Sequence, residues 1–258
     1  MFEAKEVGWR INDAKRTTKC VVNHAVDLLW LNESNAVTIY SDRLAKQIPR
    51  SYAAHAFNAF RKAMQQIEIV RLCALWDTAK LDRETIPTVV ELIDHSSVLE
   101  QLSDAVRAQY PQVAPNLENS VTAEESDVEV INFYHTKIGN ARAELALSEL
   151  RTVIQKARCL QKSEQMKAIR ILRDNHVAHN LTKEAKERSG AVESIKYGDE
   201  RTILTETLSI IKTLYDWVNG VGFSFEASRK IDRKCVEELW HNCTFTIKAD
   251  RSRRGMPP

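Results

Sequence analysis

Ile169-Arg170-Ile171-Leu172-Arg173-Asp174-Asn175-His176-Val177-Ala178-His179-Asn180-Leu181 holds, from Arg173 to His179, an arginine, two small polar side chains and two histidines in less than two helical turns. No other segment of the chain carries as many groups able to contact a phosphate and move a proton. The apolar neighbours Ile169, Ile171, Leu172, Val177, Ala178 and Leu181 mark the cluster as leaving a packed helix rather than floating in a tail. The segment from Ser163 to Asp174 is expected to be the helix that delivers it.

Working outward, the rest of the chain also reads as helix. Only 7 glycines and 6 prolines occur among 258 residues, too few turn formers for a sandwich or barrel. Long stretches rich in Ala, Leu, Glu, Lys and Arg favour helices instead. Apolar spacing predicts helices over Lys19–Leu31, ended by the polar run Asn32-Glu33-Ser34-Asn35, and over Ala36–Lys46, interrupted by Pro49. Ser51 opens a long helix through Trp76 whose stripe is broad enough for burial on several sides, as in the centre of a bundle. Shorter helices follow from about Asp82 to His95, with Pro87 in the opening turn, and from a Ser97 cap to about Gln109. Tyr110 to Ser120, with Pro111 and Pro115, is a connection. Ser120 or Thr122 then caps a long helix through Val130, Phe133, Ile138, Ala141, Leu145 and Leu150.

Beyond the motif, Asn180 to Gly198 is polar and reads as a mobile loop, and Ile203 to Val218 as a helix closed by Asn219-Gly220. Arg233–His241 reads as helix and Thr244–Ile247 as a short strand. The expected fold class is therefore all-α: a helical bundle with long antiparallel helices and a less regular C-terminal tail. A single domain is expected over residues 1–248, followed by a basic, disordered tail over 249–258.

Bulk properties exclude several classes. No run of about eighteen apolar residues occurs, so no membrane span is expected. Met1–Glu6 has no apolar core of a signal peptide. Five scattered cysteines form neither a disulfide framework nor a Cys-x-x-Cys knuckle, which points to a reducing cytoplasm.

The net charge of +2 conceals a division: 11 acidic residues stand against 2 basic ones from Asp82 to Asn132, and 10 basic against 4 acidic from Arg151 to Arg188. The motif lies in this basic stretch, where a polyanion would be held. Arg170, Lys183 and Lys186 are the candidate RNA contacts. A solvated helix face would have the same charge pattern.

Three chemistries compete for the motif. His176 and His179, at i and i+3, could share a face and bind zinc, but Arg173 repels a cation and no third ligand is evident. The lone Glu238-Leu239-Trp240-His241 lacks the second copy that a helical di-iron site uses. No metal and no cofactor is therefore expected. There is also no Gly-x-Ser-x-Gly elbow for a serine hydrolase.

A phosphate site remains. Arg173 offers a planar fork matched to two phosphate oxygens, and His179 titrates near neutrality and can accept or donate a proton. RNA supplies its own nucleophile in the 2′-hydroxyl, so a proton carrier and a cation suffice without metal. On a continuous helix, residues six apart diverge by about 120° and rise about 9 Å. Arg173 and His179 thus converge only if the helix ends between them, which Asp174-Asn175 permits, or if two chains share the site about a two-fold axis. The alternative is that Arg173 and Asp174 lace the bundle while the histidines pack.

Arg173-Asp174-Asn175-His176-Val177-Ala178-His179 resembles the Arg, polar residue, then His pattern, with four to six residues between, of the HEPN superfamily of helical ribonucleases. Ile48-Pro49-Arg50-Ser51-Tyr52-Ala53-Ala54-His55-Ala56-Phe57-Asn58 and Arg71-Leu72-Cys73-Ala74-Leu75-Trp76-Asp77 resemble its U-type abortive phage infection proteins, and the likeness covers roughly Ile48 to Val221. The resemblance implies a homodimer with a composite cleft and metal-independent endoribonuclease activity in phage-defence or toxin–antitoxin systems. Its implied partners are RNA, a second copy and an antitoxin or regulatory protein. It further implies that Arg173 holds the scissile phosphate, His179 transfers the proton, and Asp174 or Asn175 orients the site, with His176 beside them. In one branch a tyrosine two residues after the histidine is modified by a partner nucleotidyltransferase. Leu181 stands there in this chain, so that route of regulation is not implied. Some superfamily members are inactive, which keeps a non-catalytic RNA- or protein-binding module as the alternative.

Overall fold

Cap residues set several of the helix starts. Ser51 Oγ accepts from Ala54 N at 3.2 Å, Thr85 Oγ1 from Thr88 N at 3.3 Å, and Ser163 Oγ from Met166 N at 3.1 Å. Each answers one of the backbone N–H groups that a helix leaves unpaired in its first turn. The computed structural model describes residues 2–39, 41–111, 125–174 and 199–247, with backbone alone at 125–127 and 199. The helices are α1 (Val7–Thr38), α2 (Asp42–Gln47), α3 (Tyr52–Leu75), α4 (Ile86–Ile93), α5 (Ser96–Arg107), α6 (Glu125–Lys162), α7 (Glu164–Arg173), α8 (Asp199–Asn219) and α9 (Phe225–Asn242). The described residues contain no strand, and the chain is the all-α helical bundle expected.

Several boundaries differ from the sequence reading. Asn32-Glu33-Ser34-Asn35 does not end a helix. It lies inside α1, and all four residues are buried. Asn32 Nδ2 donates to Glu68 Oε1 at 2.6 Å, Asn35 Nδ2 donates to Glu68 Oε2, and Ser34 Oγ donates to Trp30 O at 3.0 Å. Glu33 takes ion pairs from Arg229 and Arg233, both at 3.1 Å. Asn32, Glu33 and Asn35 find partners on other helices and Ser34 bonds one turn back along α1, so none of them draws the backbone out of the helix, and it continues. The helix expected over Ala36–Lys46 is accordingly split between the end of α1 and the short α2.

α3 is not buried on several sides. Within it only Glu68, Ile69, Leu72, Cys73 and Leu75 are buried, while Phe60, Ile67 and Val70 are exposed. Its burial is concentrated in the last two turns. α4 starts at Ile86 behind Thr85 rather than near Asp82, and His95 rather than Ser97 is the residue before α5. Along α6 the inward face is Ala143, Ala146, Leu150, Val153, Ile154, Ala157 and Leu160, whereas Val130, Phe133, Ile138 and Leu145 are exposed. Thr244–Ile247 forms no strand. Phe245 N donates to the Gln47 side chain at 3.1 Å, and its ring lies 6.2 Å from that of Phe57. The connection from Gln112, the Ser120 or Thr122 cap, the 180–198 loop and the 249–258 tail lie outside the described residues.

The chain sorts into two compact units. Unit 1 combines Met1–Val21, Thr78–Leu160 and Ser209–Phe223. In it, α4 is buried at Ile86, Val89, Val90, Leu92 and Ile93, and the Arg10 guanidinium closes the helix end by donating to Leu92 O and Glu91 O, both at 2.8 Å. Those carbonyls have no partner within their own helix, and a cation there also opposes the negative end of the helix dipole. Ser103 Oγ donates to Ala143 O at 2.9 Å, joining α5 to α6. Gly220, at φ +69°, ends α8 in the left-handed conformation that glycine adopts without strain.

Unit 2 combines Val22–Asp77, Gln161–Leu208 and Ser224–Pro258. Its core includes Leu28, Leu29, Leu44, Leu72, Trp76, Met166, Ile169, Ile203 and Leu204. This unit carries the described part of the motif.

Candidate functional site

α7 is short but well specified. Ser163 caps it, Glu164 sits in its first turn, and Arg170 and Arg173 sit in its last, the arrangement that best suits the helix dipole. Met166 and Ile169 are buried, and α7 packs on α3. That contact brings the end of α7 to the end of α3, joining two of the segments singled out in the sequence.

The two arginines play different parts. Arg170 Nη2 donates to Trp76 O at 2.9 Å and its Nη1 to Gln161 O at 3.3 Å. Trp76 is itself fully buried, and its indole N–H donates to Thr207 Oγ1 at 3.0 Å. Arg170, expected as an RNA contact, therefore spans two main-chain carbonyls. Arg173 Nε donates to Asp174 Oδ1 at 2.8 Å, and its Nη1 lies 3.5 Å from Asp77 Oδ1. Its side chain keeps 25% exposure, so the fork is held but not sealed from a ligand.

The electrostatics follow from this placement. The hydrogen bond to Asp174 raises the Arg173 guanidinium pKa above its ordinary value, against the opposing effect of burial, so the charge is permanent. Beneath it, burial pushes the Cys73 thiol up to about 11, although Arg173 and Arg170 pull the other way. Cys73 is thus a neutral packing residue at neutral pH and no nucleophile.

α7 ends at Arg173, and Asp174 follows with helical angles, φ −68° and ψ −41°. Asn175, His176, His179, Lys183 and Lys186 lie outside the described residues. Of the expected site, the structure brings together Arg170, Arg173 and Asp174. To these it adds Asp77, the final residue of the quoted Arg71–Asp77 segment, which spacing alone had no means of pairing with Arg173.

The basic stretch is partly neutralised. Arg158 pairs with Asp94 and, at 3.6 Å, with Glu91, and Lys167 pairs with Glu164 at 2.6 Å. Among the described residues no cluster of three or more His, Cys, Asp or Glu could hold a metal ion, and no helix is long and apolar enough to cross a membrane. In unit 1 a cavity of about 370 Å³ lies between α6 and α8, lined by Glu149, Thr152 and Ser209 among others, and contains none of the motif residues.

The described residues form an all-α architecture with a partly exposed arginine at the end of α7. The sequence profile of the HEPN-type AbiU2 family matches residues 11–239, and the chain belongs to that family. The match extends well beyond the Ile48–Val221 span in which the resemblance was first legible. No curated protein and no solved structure matches the chain.

Proposed function

We propose that this protein is a metal-independent endoribonuclease of the phage-defence or toxin–antitoxin type. Arg173 binds the scissile phosphate and His179 carries the proton. The observation behind this reading is the Arg173 guanidinium: permanently charged, oriented by Asp174 at 2.8 Å, and one quarter exposed immediately before the histidines in the chain.

In the reaction, the RNA 2′-oxygen forms a bond to phosphorus as it gives up its proton. The bond from phosphorus to the 5′-oxygen breaks, and that oxygen takes up a proton. The products are a 2′,3′-cyclic phosphate and a 5′-hydroxyl. His179 serves as the base or the acid of this sequence, and Arg173 stabilises charge growing on the phosphoryl oxygens. Asn175 and His176 lie between them in sequence, and Lys183 and Lys186 extend the positive charge along the bound strand. The working form is a homodimer in the cytoplasm, with two copies of the motif facing one cleft. An antitoxin or regulatory protein would act by blocking that cleft.

A specific observation favours a second reading, a non-catalytic RNA- or protein-binding module: both arginines of the last α7 turn already have partners, Arg170 in carbonyls and Arg173 in carboxylates. Incubating the purified protein with RNA in EDTA separates the two. The nuclease reading expects cutting to persist and to leave cyclic-phosphate ends. Binding without any cutting would support the module.

A further inference from the structure

The part of the site that neither the motif nor the family match assigns is the residue opposite Arg173, two positions past the end of α3. Two carboxylates address one guanidinium, one just past the end of α7 and one just past the end of α3. Asp174 is the neighbour of Arg173 in the chain and takes Nε at 2.8 Å. Asp77 follows the last turn of α3 and stands 3.5 Å from Nη1. A single carboxylate fixes one end of the fork and leaves rotation about that hydrogen bond. A second carboxylate, paired with Nη1 at 3.5 Å from just past the end of α3, favours one orientation of the plane by charge. The support beneath is stiff: Trp76, next to Asp77, is buried, held through its indole by Thr207 and through its carbonyl by Arg170. Asp77 is therefore anchored by its neighbour, while its own side chain remains 44% exposed, beside the cation and within reach of solvent.

We propose that Asp77 is a positioning residue of the Arg173 site: it sets the plane in which the Arg173 fork meets the phosphate, and Asp174 sets the fork's near end. The proposal rests on the nuclease reading for its effect on cleavage, but the clamp itself does not. The role proposed for Asp77 is exerted through Arg173 rather than on the reacting atoms. Misplacing a phosphate-binding fork by about 1 Å is enough to cost one to two orders of magnitude in rate.

The test compares wild type, Asp77→Ala, Asp77→Glu and Arg173→Ala. It uses single-turnover cleavage of an RNA oligonucleotide, affinity for its 2′-O-methyl analogue, and the side-chain ¹⁵N signals of Arg173. Asp77→Ala should cut about tenfold or more slowly at saturating RNA, with analogue affinity little changed. The separate Nη signals of a rotationally restricted guanidinium should collapse in that variant. Asp77→Glu should recover a large part of both, which a general loss of folding stability would not reproduce. If wild type cuts, Arg173→Ala is dead and Asp77→Ala cuts at the wild-type rate, the positioning role is overturned while the nuclease reading stands. If wild type does not cut at all, the nuclease reading falls, and unchanged Arg173 signals in Asp77→Ala would overturn the clamp as well.

Discussion

Glu68 illustrates how a single buried side chain reorganises the reading of a segment. It is 1% exposed, and both its oxygens accept from asparagine amides on α1. Burial raises its pKa above the ordinary 4.5, opposed by the hydrogen bonds from Asn35 and Asn32, with the charge of Glu200 raising it and that of Arg201 lowering it. An acid whose folded pKa is raised holds its proton better in the folded state. Its contribution is thus fully present below about pH 4.5 and is lost as pH rises through the raised value. Glu68→Gln removes that titration, at the pH-independent cost of setting an amide N–H against one asparagine N–H. Urea unfolding should show the variant gaining on wild type as pH climbs from 4.5, whatever its stability at the acid end. A stability difference that stays constant with pH would contradict the assignment. The same residue explains why Asn32-Glu33-Ser34-Asn35 reads as a turn in sequence. The groups that satisfy it, Glu68, Arg229 and Arg233, come from distant helices and are invisible to local pattern.

At the scale of the elements, what was legible was what is local. The Ser51 and Ser163 caps and the Gly220 stop depend on a few adjacent residues, and each stands where its chemistry predicts. Which face a helix buries depends on partners instead. α3 and α6 both carry long apolar rows, yet Phe60, Ile67, Val130, Phe133 and Ile138 face outward while Cys73, Ala143 and Ala146 face inward. Small residues that permit close helix packing share the inward faces of both. For α7 the cap matters most, because a ten-residue helix has little else of its own to hold it. Ser163→Ala should lower stability by about 1 kcal/mol in thermal or denaturant unfolding, and an unchanged midpoint would mean that packing of Met166 and Ile169 alone defines the start of α7.

For the whole molecule, few glycines and prolines together with long Ala-, Leu-, Glu-, Lys- and Arg-rich stretches of helical apolar spacing pointed to an all-α fold, and the Arg–His spacing together with the Ile48–Asn58 and Arg71–Asp77 segments pointed to the family. The candidate site was legible only in part. Arg173 and Asp174 are adjacent in sequence and meet, but Asp77 reaches Arg173 only because α7 packs on α3. Net charge was the weaker guide, since Arg158, Lys167 and Arg170 within the basic stretch are engaged by the protein itself. The central claim concerns one arginine and one histidine acting on a shared phosphodiester, and it is tested by RNA cleavage in EDTA with wild type and the Arg173→Ala/His179→Ala double variant, both checked for native helicity. The account predicts that the folded double variant loses at least about 100-fold in rate. Cutting at the wild-type rate by that variant would contradict it.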